Sequence, residues 1–131
     1  MTIPRRSFLK TLLLLLPAGL TRTAAATPQR RYRLNRFSVA GFQYYAGPRL
    51  VARMAAGAVL DLVAEPDNPH DRYAVRIDWR SHKLGYVPRS DNHHLSRLLR
   101  QGATLNARVL KVDPHTAPWQ MLKVEVELEV G

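Results

Sequence analysis

The chain has 131 residues, with 20 Lys and Arg against 10 Asp and Glu, a formal net charge of +10 and no cysteine. The lack of cysteine excludes a disulfide framework, a thiol nucleophile, a cysteine zinc site and a lipid-anchored cysteine. The basic balance favours an anionic partner (nucleic acid, a lipid surface or an acidic glycan) without choosing among them.

The first element in chain order is a leader-like segment over residues 1–26. A basic start is followed by an apolar run from Thr11 to Leu16, then by Pro17 and Gly19. Ala24-Ala25-Ala26 fits the small-x-small rule of a signal peptidase site, with Ala24 and Ala26 as the small positions. The apolar run is far short of the ~20 residues that cross a bilayer as a helix, so no transmembrane span is expected. Arg5-Arg6-Ser7-Phe8-Leu9-Lys10 resembles a twin-arginine signal at all six positions, with Pro4 where Ser or Thr is usual. The resemblance implies export of an already folded protein to the periplasm or beyond the cell. Cleavage after Ala26 would leave residues 27–131, a length suited to one domain with its own core, at a net charge of +6.

Residues 27–35 read as a basic linker, Arg30, Arg31, Arg33 and Arg36 forming a solvated arm. It runs into a first strand over Leu34–Gly41. Gly47-Pro48 turns the chain, and Leu50, Val51, Met54 and Ala55 have helical spacing closed by Gly57. Val59–Glu65 is a second strand with Leu60, Leu62 and Ala64 on one face. Two prolines and Asp67-Asn68 make Glu65–Asp71 a loop. Tyr73–Trp79 is a third strand whose alternation assigns Tyr73, Val75, Ile77 and Trp79 to the core. Arg80-Ser81-His82 turns into a fourth strand, Lys83–Val87. After Pro88, Ser90 or Asp91 caps a helix to about Gln101, with Leu95, Leu98 and Leu99 as its apolar stripe and Gly102 at C′. His93 and His94 fall on that helix's surface. Ala103–Val112 is a fifth strand. Gln120–Val130 is a sixth, alternating Leu122, Val124, Val126, Leu128 and Val130 with Lys123, Glu125, Glu127 and Glu129. The glutamates read as the solvated face of an edge strand. Six short strands at regular spacing make the domain mainly β, a compact barrel or sandwich with one or two short α-helices.

From Arg36 to Val130 the sequence resembles the HIRAN domain family. The resemblance rests on Ala40-Gly41-Phe42-Gln43-Tyr44-Tyr45-Ala46-Gly47, on Gly57 with Leu60 and Leu62, and on Glu65-Pro66-Asp67-Asn68-Pro69-His70-Asp71. It continues through Ala74-Val75-Arg76-Ile77, Leu84-Gly85-Tyr86-Val87-Pro88 and Leu98-Leu99-Arg100-Gln101-Gly102. The Asn-Pro-x-Asp loop with its downstream Ala-Val and Gly-Tyr-Val-Pro is the specific part. What this implies is an OB-like six-stranded barrel over residues 36–131 that binds the free 3′ end of single-stranded DNA. Tyr44 and Tyr45 would stack on the terminal nucleotides and Asp71 would accept a hydrogen bond from the 3′-hydroxyl. Gln43 stands where the family has arginine, His70 where tyrosine is usual and Tyr86 where histidine is usual. Gln43 loses a charge; the other two keep flat rings.

The physics suits those roles. A base on an aromatic face is worth ~1–3 kcal/mol with little sequence preference. A carboxylate repels phosphate yet accepts from a hydroxyl, so Asp71 would discriminate an end from an internal stretch. Arg49, Arg53, Arg72 and Lys83 would supply the phosphate field. Each residue also has a plainer reading: on a strand only one of Tyr44 and Tyr45 could be exposed, Asp71 could cap its own loop, and Tyr86 and Phe42 could be core.

No Gly-rich phosphate loop appears, and no nucleophile, base and orienter are assembled, so an enzyme is not expected and neither is a cofactor. His70, Asp71 and His82 lack diagnostic metal-ligand spacing, and no metal site is expected. The expectation is an exported nucleic-acid-binding module preferring a free 3′ end of single-stranded DNA. The alternative is a module of the cell envelope that keeps the fold and meets a protein or anionic surface instead.

Overall fold

Alternating apolar side chains draw six segments of this chain into one antiparallel sheet. In this computed structural model the described residues are 29–131. The signal-like segment, including Arg5, Arg6, Phe8, Leu9, Lys10 and the cleavage residues Ala24 and Ala26, lies outside them. The strands are β1 (Arg30–Ser38), β2 (Val59–Ala64), β3 (Val75–Trp79), β4 (His82–Tyr86), β5 (Thr104–Val112) and β6 (Leu122–Val130). Their spatial order is β1-β6-β5-β2-β3-β4, each neighbouring pair antiparallel. The protein is thus mainly β, with a six-stranded, barrel-like, OB-like architecture.

The sheet does not close fully. Its outer strands, β1 and β4, meet only just past the end of β1, where Ala40 and Tyr86 form an isolated bridge. The Ala40 N–H donates to the Tyr86 carbonyl at 2.8 Å and the Tyr86 N–H to the Ala40 carbonyl at 2.9 Å. This approach requires Gly85, because a Cβ there would lie 2.4 Å from the Ala40 carbonyl oxygen at a φ of +148°. Inside the sheet, Val75, Ile77, Trp79, Leu84, Val109, Leu122, Val124 and Val126 pack with Phe37, Val39, Phe42 and Leu95 into one core.

Helix α1 (Gly47–Leu50) is a single turn, continued by a 3-10 turn over Val51–Arg53. Gly47-Pro48 therefore starts a helix, proline occupying a first-turn position where a missing N–H costs nothing. Helix α2 (Arg89–Arg100) buries Leu95 and ends as the sequence predicts. The Ala103 N–H reaches the Leu98 carbonyl at 3.0 Å and the Gly102 N–H reaches Leu99 at 3.1 Å. Gly102 takes the left-handed φ of +86° that this pattern demands.

Four expectations are corrected. The supposed linker at residues 30–35 is already strand, since β1 begins at Arg30 and pairs Arg31 with Glu129, Arg33 with Glu127 and Arg36 with Glu125. Strand β6 is interior, flanked by β1 and β5, so its glutamates are not an edge. Arg36 binds Glu125 at 2.6 Å and Arg108 binds Glu127 at 3.0 Å. Neither Ser90 nor Asp91 caps α2: the N-cap is Pro88, with no side-chain cap bond, and Asp91 accepts instead from Asn35 Nδ2 at 2.9 Å. Tyr73 precedes β3 and is only partly buried, its ring packed against His93 at 3.9 Å between centroids with the planes tilted by 50°.

Candidate nucleic-acid interface

The aromatic side of the site is set by one buried ring. Phe42 is fully buried at the head of a 3-10 turn, Phe42–Tyr44, and its ring packs against Gly47. A Cβ on Gly47 would sit 2.2 Å from that ring, so only glycine admits it. Seating Phe42 inward turns the next three side chains out. Tyr44 is 78% exposed and Tyr45 39% exposed. Both tyrosines are therefore on the surface; the alternation argument fails because neither lies on a strand.

Tyr45 leans edge-on to Tyr86, with 6.2 Å between ring centroids. The Lys83 ammonium lies over both rings, 4.2 Å from the Tyr45 centroid and 4.7 Å from that of Tyr86. The Tyr86 hydroxyl raises the Lys83 pKa against the opposing effect of burial, so the lysine is charged at neutral pH. Tyr86 is half-buried. Its hydroxyl donates to Glu65 Oε1 at 2.9 Å, which fixes the ring's tilt.

The opposite wall is the Asn68–Asp71 loop. Asn68 Oδ1 accepts the His70 N–H at 2.9 Å and that of Asp71 at 3.3 Å, folding the loop on itself. Asp71 then bonds outward: Oδ1 accepts the Tyr73 N–H at 2.9 Å, and Oδ2 accepts Asn92 Nδ2 at 2.8 Å. The Tyr73 amide bond is the main reason the Asp71 carboxyl sits below its usual pKa; burial opposes it, while Asn92 and the nearby Arg89 add to it. The loop-capping role of Asp71 is thus real. Spare lone pairs still allow it to accept from another group.

Between these walls is an open cleft of about 260 Å³. It brings together four residues singled out from sequence: Tyr45, His70, Asp71 and Tyr86. It does not include Gln43, Tyr44, Arg49 or Arg72. Gln43 and Tyr44 lie on the exposed turn beside it. Arg49 is exposed on α1. Arg72 turns away to stack on Tyr73, its guanidinium 5.1 Å from the ring centroid. Arg53 lies 5.9 Å from the Trp79 centroid, again outside the cleft. His82 is exposed in the β3–β4 hairpin, and among the described residues no group of three His, Asp or Glu is placed to hold a metal.

Three contributors escape the sequence reading. Arg89 lines the cleft, its side chain 76% exposed, with Nε 3.8 Å from Asp71 Oδ2 and Nη2 donating to the His70 carbonyl at 3.2 Å. Asn92, a polar residue only 4% exposed, ties α2 to Asp71. Glu65 holds Tyr86, Asn68 and Arg76 together. The site therefore carries two cations at its rim, Lys83 and Arg89, and aromatic faces on one wall. No helix among the described residues is long and apolar enough to cross a membrane.

A HIRAN domain model matches residues 32–131. No curated protein sequence matches significantly. Among solved structures, a protein from Lactobacillus plantarum is similar with a TM-score of 0.68 at 24% identity, covering 79% of this chain and 100% of that one. The HIRAN domain of human HLTF is similar with a TM-score of 0.54 at 16% identity, covering 72% of each chain. At these identities the likeness is one of fold.

Proposed function

Because the chain belongs to the HIRAN domain family, we propose that it is a nucleic-acid-binding module whose cleft takes the free 3′ end of a single strand of DNA. The observation that carries this reading is the meeting, in one cleft, of the Tyr45 and Tyr86 rings, the Arg89 cation and the Asp71 carboxylate, with the Lys83 ammonium lying over both rings at the rim. Rings stack bases without regard to sequence, cations hold phosphate, and a carboxylate at the end of the path favours a hydroxyl over a phosphate. In this arrangement Lys83 and Arg89 stand in for the charge that Gln43 does not provide. His70 would contribute from the cleft wall, and Tyr44, Arg72 and Arg49 from the surrounding surface. The role is binding, without a catalytic step. The signal-like residues 1–26 add export, so the module would work in the periplasm or outside the cell.

The test is titration of the full chain with single-stranded oligonucleotides ending in a 3′-hydroxyl or a 3′-phosphate. The hydroxyl form should bind at least tenfold tighter; Asp71→Ala should remove most of that preference, while Tyr45→Ala should weaken binding of both forms. Equal affinity for the two ends would sink the end-reading role.

A second reading has its own support. Asp71 is already engaged by Tyr73 and Asn92, and Gln43 carries no charge. A domain of the cell envelope that keeps the fold while its basic rim meets a protein or anionic surface is consistent with both. Absence of oligonucleotide binding altogether would favour it.

A further inference from the structure

The outer face of the sheet follows a charge rule that breaks at one rung. Along β6, Glu125 stands opposite Arg36 on β1 and Arg108 on β5, and Glu127 stands opposite Arg33 and Asn106. Glu129 pairs with Arg31 and also accepts from Asn106 Nδ2 at 2.8 Å. Each of these rungs sets a carboxylate beside a cation. The remaining rung is Ser38–Lys123–Lys111, two lysines directly opposite each other with no carboxylate across from either. Like charges directly opposite on a sheet destabilise it. Both lysines are exposed, and neither forms an ion pair among the described residues.

The broken rung floors a hollow walled by Thr116 and Gln120 of the β5–β6 connection. Asp113 also lines it, and the Asp113 Oδ1 atom accepts the His115 N–H at 3.1 Å. Two lysines, the Ser38 hydroxyl and a Thr116 hydroxyl that donates to Gln120 Oε1 at 3.2 Å therefore line one hollow, against a single carboxylate partly used by its own loop. Gln120 belongs to a 3-10 turn, Pro118–Gln120, that packs against the Phe42–Tyr44 turn of the cleft. On that turn Trp119 is 59% exposed. Tyr44 and Trp119 thus sit exposed on two turns that touch each other, one beside the cleft and one beside the lysine pair.

We infer that Lys111 and Lys123 form a second phosphate seat, which holds the backbone of the same single strand several nucleotides upstream of the end lodged in the cleft. The inference rests on the nucleic-acid reading above and gives the strand its direction across the domain: out over the Phe42–Tyr44 turn, past Trp119, onto the outer face of β5 and β6. A phosphate there would relieve the repulsion that the bare rung stores. It also explains why a lysine pair stands where every other rung is neutralised.

The experiment compares the full chain with its Lys111→Gln/Lys123→Gln variant on 3′-hydroxyl oligothymidylates of three and ten nucleotides over a range of salt. The variant removes a repulsion, so its melting temperature should match or exceed that of the wild type. The trinucleotide should bind both proteins equally. The decamer should lose roughly tenfold in affinity, and its salt dependence should flatten by about 0.7 in slope, the amount for one lost phosphate contact on a single strand. Unchanged length gain and slope, with the wild type still preferring a free 3′ end, would overturn the second seat alone. Failure of the wild type to bind either oligonucleotide would overturn it together with the cleft's role.

Discussion

The hydroxyl of Tyr86 donates to Oε1 of Glu65 at 2.9 Å, and Asn68 Nδ2 donates to the same oxygen at 3.0 Å. One carboxylate thus ties the aromatic wall of the cleft to its loop wall, while its second oxygen takes Arg76 Nη1 at 2.9 Å. Replacing Glu65 with Ala should weaken oligonucleotide binding several-fold by freeing the Tyr86 ring and the loop to move apart. The cost to the fold should be about 1.5–3 kcal/mol, the range for hydrogen bonds to a charged group. Arg76→Gln should cost stability of the same order but leave the ring anchored. Titrations and melts of both variants check this; equal binding losses in the two would refute a positioning role for Glu65.

Acid should loosen the same assembly. Burial raises the Glu65 pKa, but the bonds from Asn68, Tyr86 and Arg76 outweigh it and the net shift is downward; Asp71 is also shifted downward. Groups depressed in the folded state contribute stability that is present above their unfolded values, 4.5 and 3.8 here, and lost as pH falls through the folded values. The melting temperature should therefore hold from neutral pH to about 5 and drop below it. In Glu65→Gln the acid drop should be shallower. A wild-type melt that is flat down to pH 3 would contradict the assignment.

Asp71 serves the loop whether or not it reads a ligand. Asp71→Ala strands the Tyr73 N–H and the Asn92 amide, and should cost roughly 1–3 kcal/mol. Asp71→Asn keeps one acceptor for Tyr73, so it should recover part of that stability. The end-reading role predicts that neither variant discriminates 3′-hydroxyl from 3′-phosphate. Discrimination retained by Asp71→Asn at wild-type strength would place the reader elsewhere in the cleft.

Gly85→Ala should be among the most damaging small changes in the domain. The added methyl meets the Ala40 carbonyl at a backbone angle that L residues rarely adopt. Backbone strain of this kind is worth ~1–3 kcal/mol before the lost bridge is counted. At roughly 4–8 °C per kcal/mol for a domain of this size, the melting temperature should fall by at least 10 °C or so. Gly102→Ala, at a helix end with nothing near its Cβ position, should cost less.

Much of this architecture was legible because its periods are plain. The β6 alternation, the Leu95 face of α2 and the Gly102 stop each follow from side-chain spacing or backbone freedom, and each is present. What spacing cannot supply is sheet order. The glutamates of β6 read the same whether solvent or a neighbouring strand lies beside them, and the arginines of β1 read as a solvated arm because their partners are about ninety residues away. Local bonding hid other features. Asp71 captures the Tyr73 N–H, which keeps that tyrosine out of β3 despite its place in the alternation. At the site, motif resemblance pointed to Tyr45, His70, Asp71 and Tyr86, and those four meet. It passed over Arg89 and Asn92 because a helix start has no period that distinguishes a structural residue from one facing a cleft.

The narrow contact between Ala40 and Tyr86 has a consequence for the whole domain. Both residues line the cleft, and their two amide protons are what join the outer strands across it. The groove and the weakest seam of the perimeter are the same place. A strand end settling between Tyr86 and the Asn68 loop would act as a clasp on an otherwise open ring, and its departure would leave two hydrogen bonds as the backbone link across that seam.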